Sequence, residues 1–551
     1  MPPVPQLVLG PLLRYVGETE ATLWVETDEP CEVSVLTSRA PTFCVRGRHY
    51  AIVYLKGLEP GTRYEYTVEL DGETVWPDRG GSGMPPPSIR TPKEGERHRM
   101  IFGSCRVGYP HEPPYDLTKD QSPLGREVDA LRAYALRMRD RPEEEWPHLL
   151  LMLGDQVYAD EVPPHTKAYI ENTRDTSEGA GEEVANFDEY VRLYHEAWAE
   201  PVIRWLLSTV STAMIFDDHD VQDDWNTSKA WLEEQRSKPL WEERIAGAFM
   251  SYWLYQHLGN LSPRDHDADG LLQRARRVPD LGDDLHAYAL KADREPAGAR
   301  WTYCRDVAGA RVIVVDSRAA RVLDGTRKMV DDDEWDFIEE HATGDFDHLF
   351  LASSLPILLP RALHDLEAWN ERVCDGAWGA GPMASLGEKI RQGVDLEHWA
   401  AFDNSFEKVE GLLKEVASGK RGDPPGSVTM LSGDVHFAYL AEVGFPRGTG
   451  AESAVWQAVC SPVRNPLDKR EKAVVRFNCT RPAGVIGRAL ARSAGARRPG
   501  IDWRLCEGPA FDNQVATIDW QGKHAELVIE RVPPGDSNNP ELVETFRRTL
   551  A

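Results

Sequence analysis

The sequence predicts an α/β domain built on layered sheets, preceded by a small β-sandwich. Three observations carry this. Over residues 1–95, short alternating segments are separated by turn residues. From Arg99 onward, short apolar strands alternate with long helical stretches. Several of those later strands run straight into polar clusters, as in IFGSC, LLLMLGDQVY, MIFDDHD, VIVVDSR and VTMLSGDVH. A chain of 551 residues also exceeds what one compact core usually holds, so two or more domains are expected.

In the first region, residues 1–95, the strand-like segments are 21–26, 31–36, 50–55 and 64–70. The stretch GLEPGTRYEYTVELDG, residues 57–72, resembles the end of a fibronectin type III or purple-acid-phosphatase N-terminal domain, in which a Pro-Gly turn leads into an alternating strand. Residues 85–92, PPPSIRTP, read as a Pro-rich linker. The second region, residues 96–551, has apolar strands at 100–102, 149–153, 212–216, 311–315, 349–352 and 428–431. Open α/β sheets bind ligands beyond the carboxyl ends of their strands, so the polar clusters there are expected to meet in one crevice. Segments 187–207 and 230–258 carry apolar residues at helical spacing and are expected to pack on the sheets. Residues 514–520 and 524–532 read as a hairpin around Gln521-Gly522.

Hydrophobic residues at 41% and charged residues at 28% are ordinary for a soluble globular protein. A net charge of -27 repels a phosphate backbone, so nucleic acid is a poor partner. Residues 1–10 lack the basic and apolar parts of a secretory signal, which reads as cytoplasmic. No stretch approaches the ~20 apolar residues of a membrane span, so integral membrane association is not expected, though lipid substrates stay open. The eight cysteines show no CxxC spacing, which argues against a zinc finger or disulfide framework.

Four motifs carry chemistry. In LMLGDQVYAD an apolar run ends at Gly154-Asp155, followed by Tyr158 and Asp160; Gly beside Asp lets backbone approach an ion. STAMIFDDHDVQDDWN packs five aspartates and His219 behind a strand, a density of like charge that calls for bound cations. VTMLSGDVHFAYLAEV delivers Asp434 and His436, two apart and so on one side of an extended chain. IFGSCRVGYP ends a strand in Cys105, whose thiol a nearby cation would ionise. Taken alone, each has an ordinary structural reading: a helix cap, a solvated charge run, a core histidine, a buried thiol.

The blocks GSC, GDQVYAD, FDDHDV and SGDVHFA, in this order, resemble the signature of the PhoD-like alkaline phosphatases (alkaline phosphatase D), a branch of the calcineurin-like metallophosphoesterases. The resemblance implies a metallophosphoesterase catalytic domain behind a fibronectin III-like sandwich. It also implies a trivalent iron held by Cys105, Asp155, Tyr158 and His436, with calcium or another divalent ion sharing Asp155 and held by Asp434, Asp218 and Asp223. Relatives often have asparagines where this chain has Asp223 and Asp224. The expected reaction is hydrolysis of a small phosphate ester, a phosphomonoester, by a metal-bound hydroxide between ions roughly 3.5–4 Å apart. His219 is the candidate proton donor to the leaving oxygen, or else orients a ligand carboxylate. Arg318, in a block resembling the family's DTR segment, either binds phosphate or holds a ligand carboxylate, and Arg464 in CSPVRNP is a second phosphate candidate. A phosphodiesterase or phospholipase D-like activity at the same site, and a catalytically silent metal-binding scaffold, are the alternative readings.

Overall fold

The computed structural model describes residues 4–78, 83–379 and 381–551; residues 1–3 and 79–82 of the expected N-terminal sandwich lie outside the described residues. The sandwich pairs two four-stranded sheets. One runs Leu7–Val16, Glu20–Thr27, Arg48–Lys56, Phe43–Val45; the other runs Ser38–Pro41, Glu32–Val35, Val68–Leu70, Glu73–Trp76. Strand alternation sends Leu23, Val25, Val53, Val33 and Val68 into its own core. The opposite face of the first sheet, with Trp24, Tyr50 and Ile52, joins the core of the second region. There Trp24 lies 5.2 Å from the ring of Tyr255, and the Tyr255 hydroxyl donates to Glu26 at 2.8 Å. Arg14 is fully buried across this junction, donating to the carbonyl of Gln256 at 2.7 Å.

Two expectations change here. The segment 64–70 is not one strand: Arg63–Glu65 pairs with Ser88–Arg90, whereas Val68–Leu70 pairs with Glu32–Val35. Between them the buried Tyr66 sends its hydroxyl to the Ser208 carbonyl at 2.5 Å, anchoring the change of partner to the second region. The expected linker, 85–92, contains the strand Ser88–Arg90. Its one apolar residue, Ile89, is completely buried in the sandwich core, and the Arg90 guanidinium donates to the carbonyls of Glu143, Trp146 and Pro147. The join between the two regions is therefore a fixed, hydrogen-bonded seam.

The second region holds two more sheets. A six-stranded one runs Ser211–Ile215, Leu149–Leu153, His98–Gly103, Asn513–Gln521, His524–Val532, Val543–Thr549. A seven-stranded one runs Tyr303–Val307, Ala310–Val315, His348–Ser353, Ser427–Ser432, Ala454–Val459, Ala438–Gly444, Asp502–Ala510. Each has a parallel centre, and its strands are apolar throughout because both faces are covered, as in LLLML. Phe350 of one sheet lies 5.5 Å from Trp520 of the other, so the layers pack face to face. All six strands expected in this region form, within two residues of the expected bounds.

The helical stretches break where the sequence has proline. Segment 187–207 divides into Phe187–Trp198 and Pro201–Thr209, because Pro201 lacks the N–H that a continuous helix needs. Segment 230–258 divides into Lys229–Arg236 and Trp241–Ser251, followed by a π-helical turn at Tyr252–His257. That widened turn carries Gln256, whose amide donates to Asp220 Oδ1 at 3.0 Å behind the strand ends.

Candidate metal centre

Close approach of the strand ends requires two glycines. At Gly154, with φ +100°, a Cβ would stand 2.6 Å from the Cβ of Asp217; at Gly433 it would lie 1.9 Å from Ser104 Oγ. Glycine thus lets the loops from four strands of two sheets interlock, and Ser104 Oγ then accepts the Asp434 N–H at 2.9 Å. The residues that follow are held in a costly conformation. Cys105, Asp155, Asp434 and His436 have φ of 58°, 53°, 65° and 57°, in the left-handed region that L-residues avoid by about 1–2 kcal/mol each.

Asp155 stands at the centre, almost fully buried. Its N–H donates to Asp220 Oδ2 at 3.0 Å, its Oδ2 accepts from the Tyr158 hydroxyl at 3.3 Å, and its Oδ1 has no partner among the described residues. Four groups of side chains present ligand atoms that lie within 4.8 Å of one another: Cys105, Asp155 and His436; Asp155, Asp218 and His219; Asp160, His219 and Asp223; Asp217, Asp218 and Asp434. Asp155 belongs to two of them. Asp434 and His436 reach different groups, because the chain bends at both residues in place of the extended run that the sequence suggested.

The electrostatics are those of a site short of positive charge. Burial first, then Asp155 and Asp434, push the Cys105 thiol well above its ordinary value. Burial and the neighbouring Asp218, Asp217 and Asp220 push Asp155 far up, against the pull of His219. Burial lowers His436 to about 4, leaving it neutral and able to donate a lone pair. Oδ2 of Asp217 and Oδ1 of Asp218 also accept no hydrogen bond among the described residues. A thiol, a phenol, an imidazole and orphaned carboxylate oxygens suit an iron and a harder divalent ion, so the residues present fit the metals that the resemblance implies.

His219 is pinned through Nδ1 to both oxygens of Asp160 at 2.9 Å, and its ring stacks on Tyr158 with centroids 4.5 Å apart. Burial pulls its pKa down, yet Asp160 and Asp218 hold it well above the ordinary value. Nε2 lies 3.8 Å from Asp223 Oδ1. Asp223 itself is set apart from the expected second metal: its side chain is 67% exposed, and it groups with Asp160 and His219, not with Asp155 or Asp434. The cause is local, since its N–H is tied to Asp160 Oδ2 at 2.6 Å, which turns the side chain outward.

Both arginines differ from the phosphate-binding expectation. Arg318 is fully buried behind the carboxylates, donating through Nε to Asp217 Oδ1 and through Nη1 to Glu397 at 2.6 Å, with Nη2 3.2 Å from Asp218. Its contacts are those of a carboxylate holder, the other role that the sequence left open. Arg464 is corrected more fully: it is buried, and its three nitrogens donate to the carbonyls of Glu127, Tyr109 and Pro110. Those bonds brace the Cys105 loop.

Sequence reasoning missed several participants. Asp217 precedes Asp218 in FDDHD, and nothing in a doubled aspartate says which faces inward. His398 bridges Asp434 Oδ2 at 3.1 Å and Glu367 Oε1 at 2.7 Å, yet it and Glu397 come from the irregular 394–398 stretch that carries no strand signal. Ser461 Oγ lies 3.2 Å from Cys105 Sγ, and the Asn465 amide donates to the Tyr158 hydroxyl at 3.3 Å. The only sequence signal for both is the polar CSPVRNP after an apolar strand.

The family model described as PhoD-like phosphatase matches residues 130–289, the part that contains Asp155, Tyr158, Asp218 and His219. Those residues carry the match to the PhoD-like phosphatases. That match supports a hydrolase acting on phosphate esters. Residues 4–89 match a model described as a domain of unknown function, DUF7800. The fold is that of a solved structure described as "Structure of PhoD", at 13% identity and TM-score 0.60, covering 100% of this chain and 91% of that one. A purple acid phosphatase from yellow lupin (Lupinus luteus) seeds aligns at 11% identity and TM-score 0.49, over 98% of this PhoD-like chain and 73% of its own. Among curated proteins none matches the sequence.

Proposed function

We propose that this PhoD-like phosphatase hydrolyses small phosphate monoesters at a two-metal site. Cys105, Asp155, Tyr158 and His436 would hold iron, and Asp155, Asp218 and Asp434 together with Asp217 would hold calcium or another divalent ion. The observation that carries the reading is the excess of buried carboxylate and thiol over buried cation at converging strand ends, with three carboxylate oxygens that accept no hydrogen bond among the described residues. When bound, the two ions supply an acidified water and a clamp on the phosphoryl oxygens.

The chain's own residues do the rest. His219 keeps its Nδ1 on Asp160, so the proton it delivers to the departing alkoxide oxygen leaves from Nε2. Stacking on Tyr158 fixes the plane of that ring. Arg318 and His398 act as positioning residues, the first for Asp217 and Asp218, the second for Asp434. Asp223 stays outside the metal shell, with its exposed carboxylate 3.8 Å from His219 Nε2.

Elemental analysis of the purified protein, together with nitrophenyl phosphate and bis-nitrophenyl phosphate hydrolysis by wild type and Asp155→Ala, tests this. Iron plus a divalent metal, faster monoester turnover, and loss of both metal and turnover in the variant are the expected results. A wild type that stays inactive after addition of iron with calcium, manganese or cobalt would sink the hydrolytic reading. Faster bis ester turnover would assign the site to phosphodiesters.

A further inference from the structure

Charge is distributed very unevenly along this chain. Against a net charge of -27, residues 469–498 carry nine lysines and arginines and one carboxylate, Glu471. This segment folds as two helices, Lys469–Asn478 and Arg481–Ser493, joined by Cys479-Thr480. The second helix packs on Arg361–Cys374 through small residues: a Cβ at Gly487 would touch the backbone of Ala362 at 2.9 Å. Close packing on that side leaves the large apolar residues facing outward. Val474, Phe477, Val485 and Ile486 are 59%, 56%, 69% and 55% exposed, although each would gain by leaving water.

The cations around them are largely unspent. Lys469 and Lys472 meet Asp120 and Asp512, and Arg497 meets Asp403 and Glu410. Arg470, Arg481, Arg488 and Arg492 make no ion pair among the described residues. In a protein with 90 aspartates and glutamates, a surplus of eight positive charges over residues 469–498, six of them within the helical pair, is a separate electrostatic surface. Exposed aliphatic and aromatic residues framed by lysine and arginine on short amphipathic helices match the two phases of an anionic bilayer, apolar below and negatively charged at the headgroups. A nucleic acid would use the cations and leave the four apolar side chains in water. The chain also links the two regions: the first helix begins four residues after Asn465, whose amide donates to the Tyr158 hydroxyl.

We propose that the helical pair 469–493 docks this protein peripherally on anionic phospholipid membranes, with Phe477 and Ile486 inserting between headgroups and the flanking arginines neutralising them. The inference does not depend on the hydrolytic reading, because its readout is binding.

Co-sedimentation of the purified, metal-loaded protein with two kinds of vesicle tests it: phosphatidylcholine alone, and an equimolar mixture with phosphatidylglycerol. Binding to the mixed vesicles, none to phosphatidylcholine, and weakening with added salt are expected. Phe477→Ser/Ile486→Ser should weaken binding on the order of tenfold while nitrophenyl phosphate turnover stays at the wild-type value. Arg481→Glu/Arg488→Glu should abolish binding, with an unchanged circular dichroism spectrum. The proposal is overturned if wild type ignores the mixed vesicles or if the Phe477/Ile486 variant binds them as well as wild type. It is equally overturned if a DNA duplex binds as tightly as the mixed vesicles and is unaffected by the apolar substitutions, which would mark a general polyanion surface.

Discussion

At one corner of the metal centre Cys105, Asp155 and His436 face each other, and none of them makes an ion pair with a lysine or arginine among the described residues. At the other, Asp217, Asp218 and Asp434 have the buried Arg318 behind them, and Asp434 has His398 beside it. Both corners are negative, but only the second has a guanidinium built into it, whereas the first has no more than the imidazole of His219 beside Asp155. A corner without its own cation must take a highly charged one from solution or protonate, and the raised Cys105 and Asp155 values show the direction in which the metal-free chain moves. A corner with a guanidinium needs less charge. The asymmetry is consistent with a trivalent ion on the Cys105 side and a divalent one on the Asp434 side.

The most severe way to break this comparison is to remove the residue that both corners share. Asp155→Ala should lower nitrophenyl phosphate turnover by at least about 10³-fold and empty both metal positions, read by elemental analysis. If one ion remained at full occupancy, the shared role would be wrong. Next in size, Arg318→Met should destabilise the protein by about 3–5 kcal/mol in urea unfolding, because it strands Asp217 as an unpaired buried carboxylate and leaves Glu397 with Arg321 alone of its two arginines. A smaller effect is expected at His398, where His398→Asn should weaken divalent-metal binding by about 10–100-fold while leaving iron content unchanged. Equal loss of both metals there would merge the two corners into one.

The smallest effect has the opposite sign and sharpens the contrast. In chelator-treated protein Asp155→Asn should raise stability by about 1 kcal/mol, because it removes a like charge from a corner with no cation of its own. With metals restored, the same substitution should lower stability, since metal binding to the native state adds to it by mass action. Urea midpoints of the four samples measure both signs; a variant less stable than wild type in both states would mean that Asp155 is balanced without metal.

Much of this was legible in the chain itself. The apolar runs fixed the catalytic strands to within two residues because a strand covered on both faces has no polar position to blur its ends. Their carboxyl ends marked Cys105, Asp155 and His436 as candidates, each just behind a glycine, and Asp218 by the density of aspartates around it. Tertiary structure decided the rest. That Arg318 meets both Asp217 and Asp218, that Asp223 turns out toward solvent, and that Arg464 is spent on carbonyls all depend on loops meeting across two sheets. Glu397 and His398 lie some 240 residues from Asp155 in a stretch with no periodic pattern, so no local rule marks them. The linker became a strand for the same reason: the value of burying Ile89 is set by the core it meets, not by the prolines around it. Local pattern is written by the neighbours a residue has along the chain, whereas charge balance is written by the neighbours it acquires on folding.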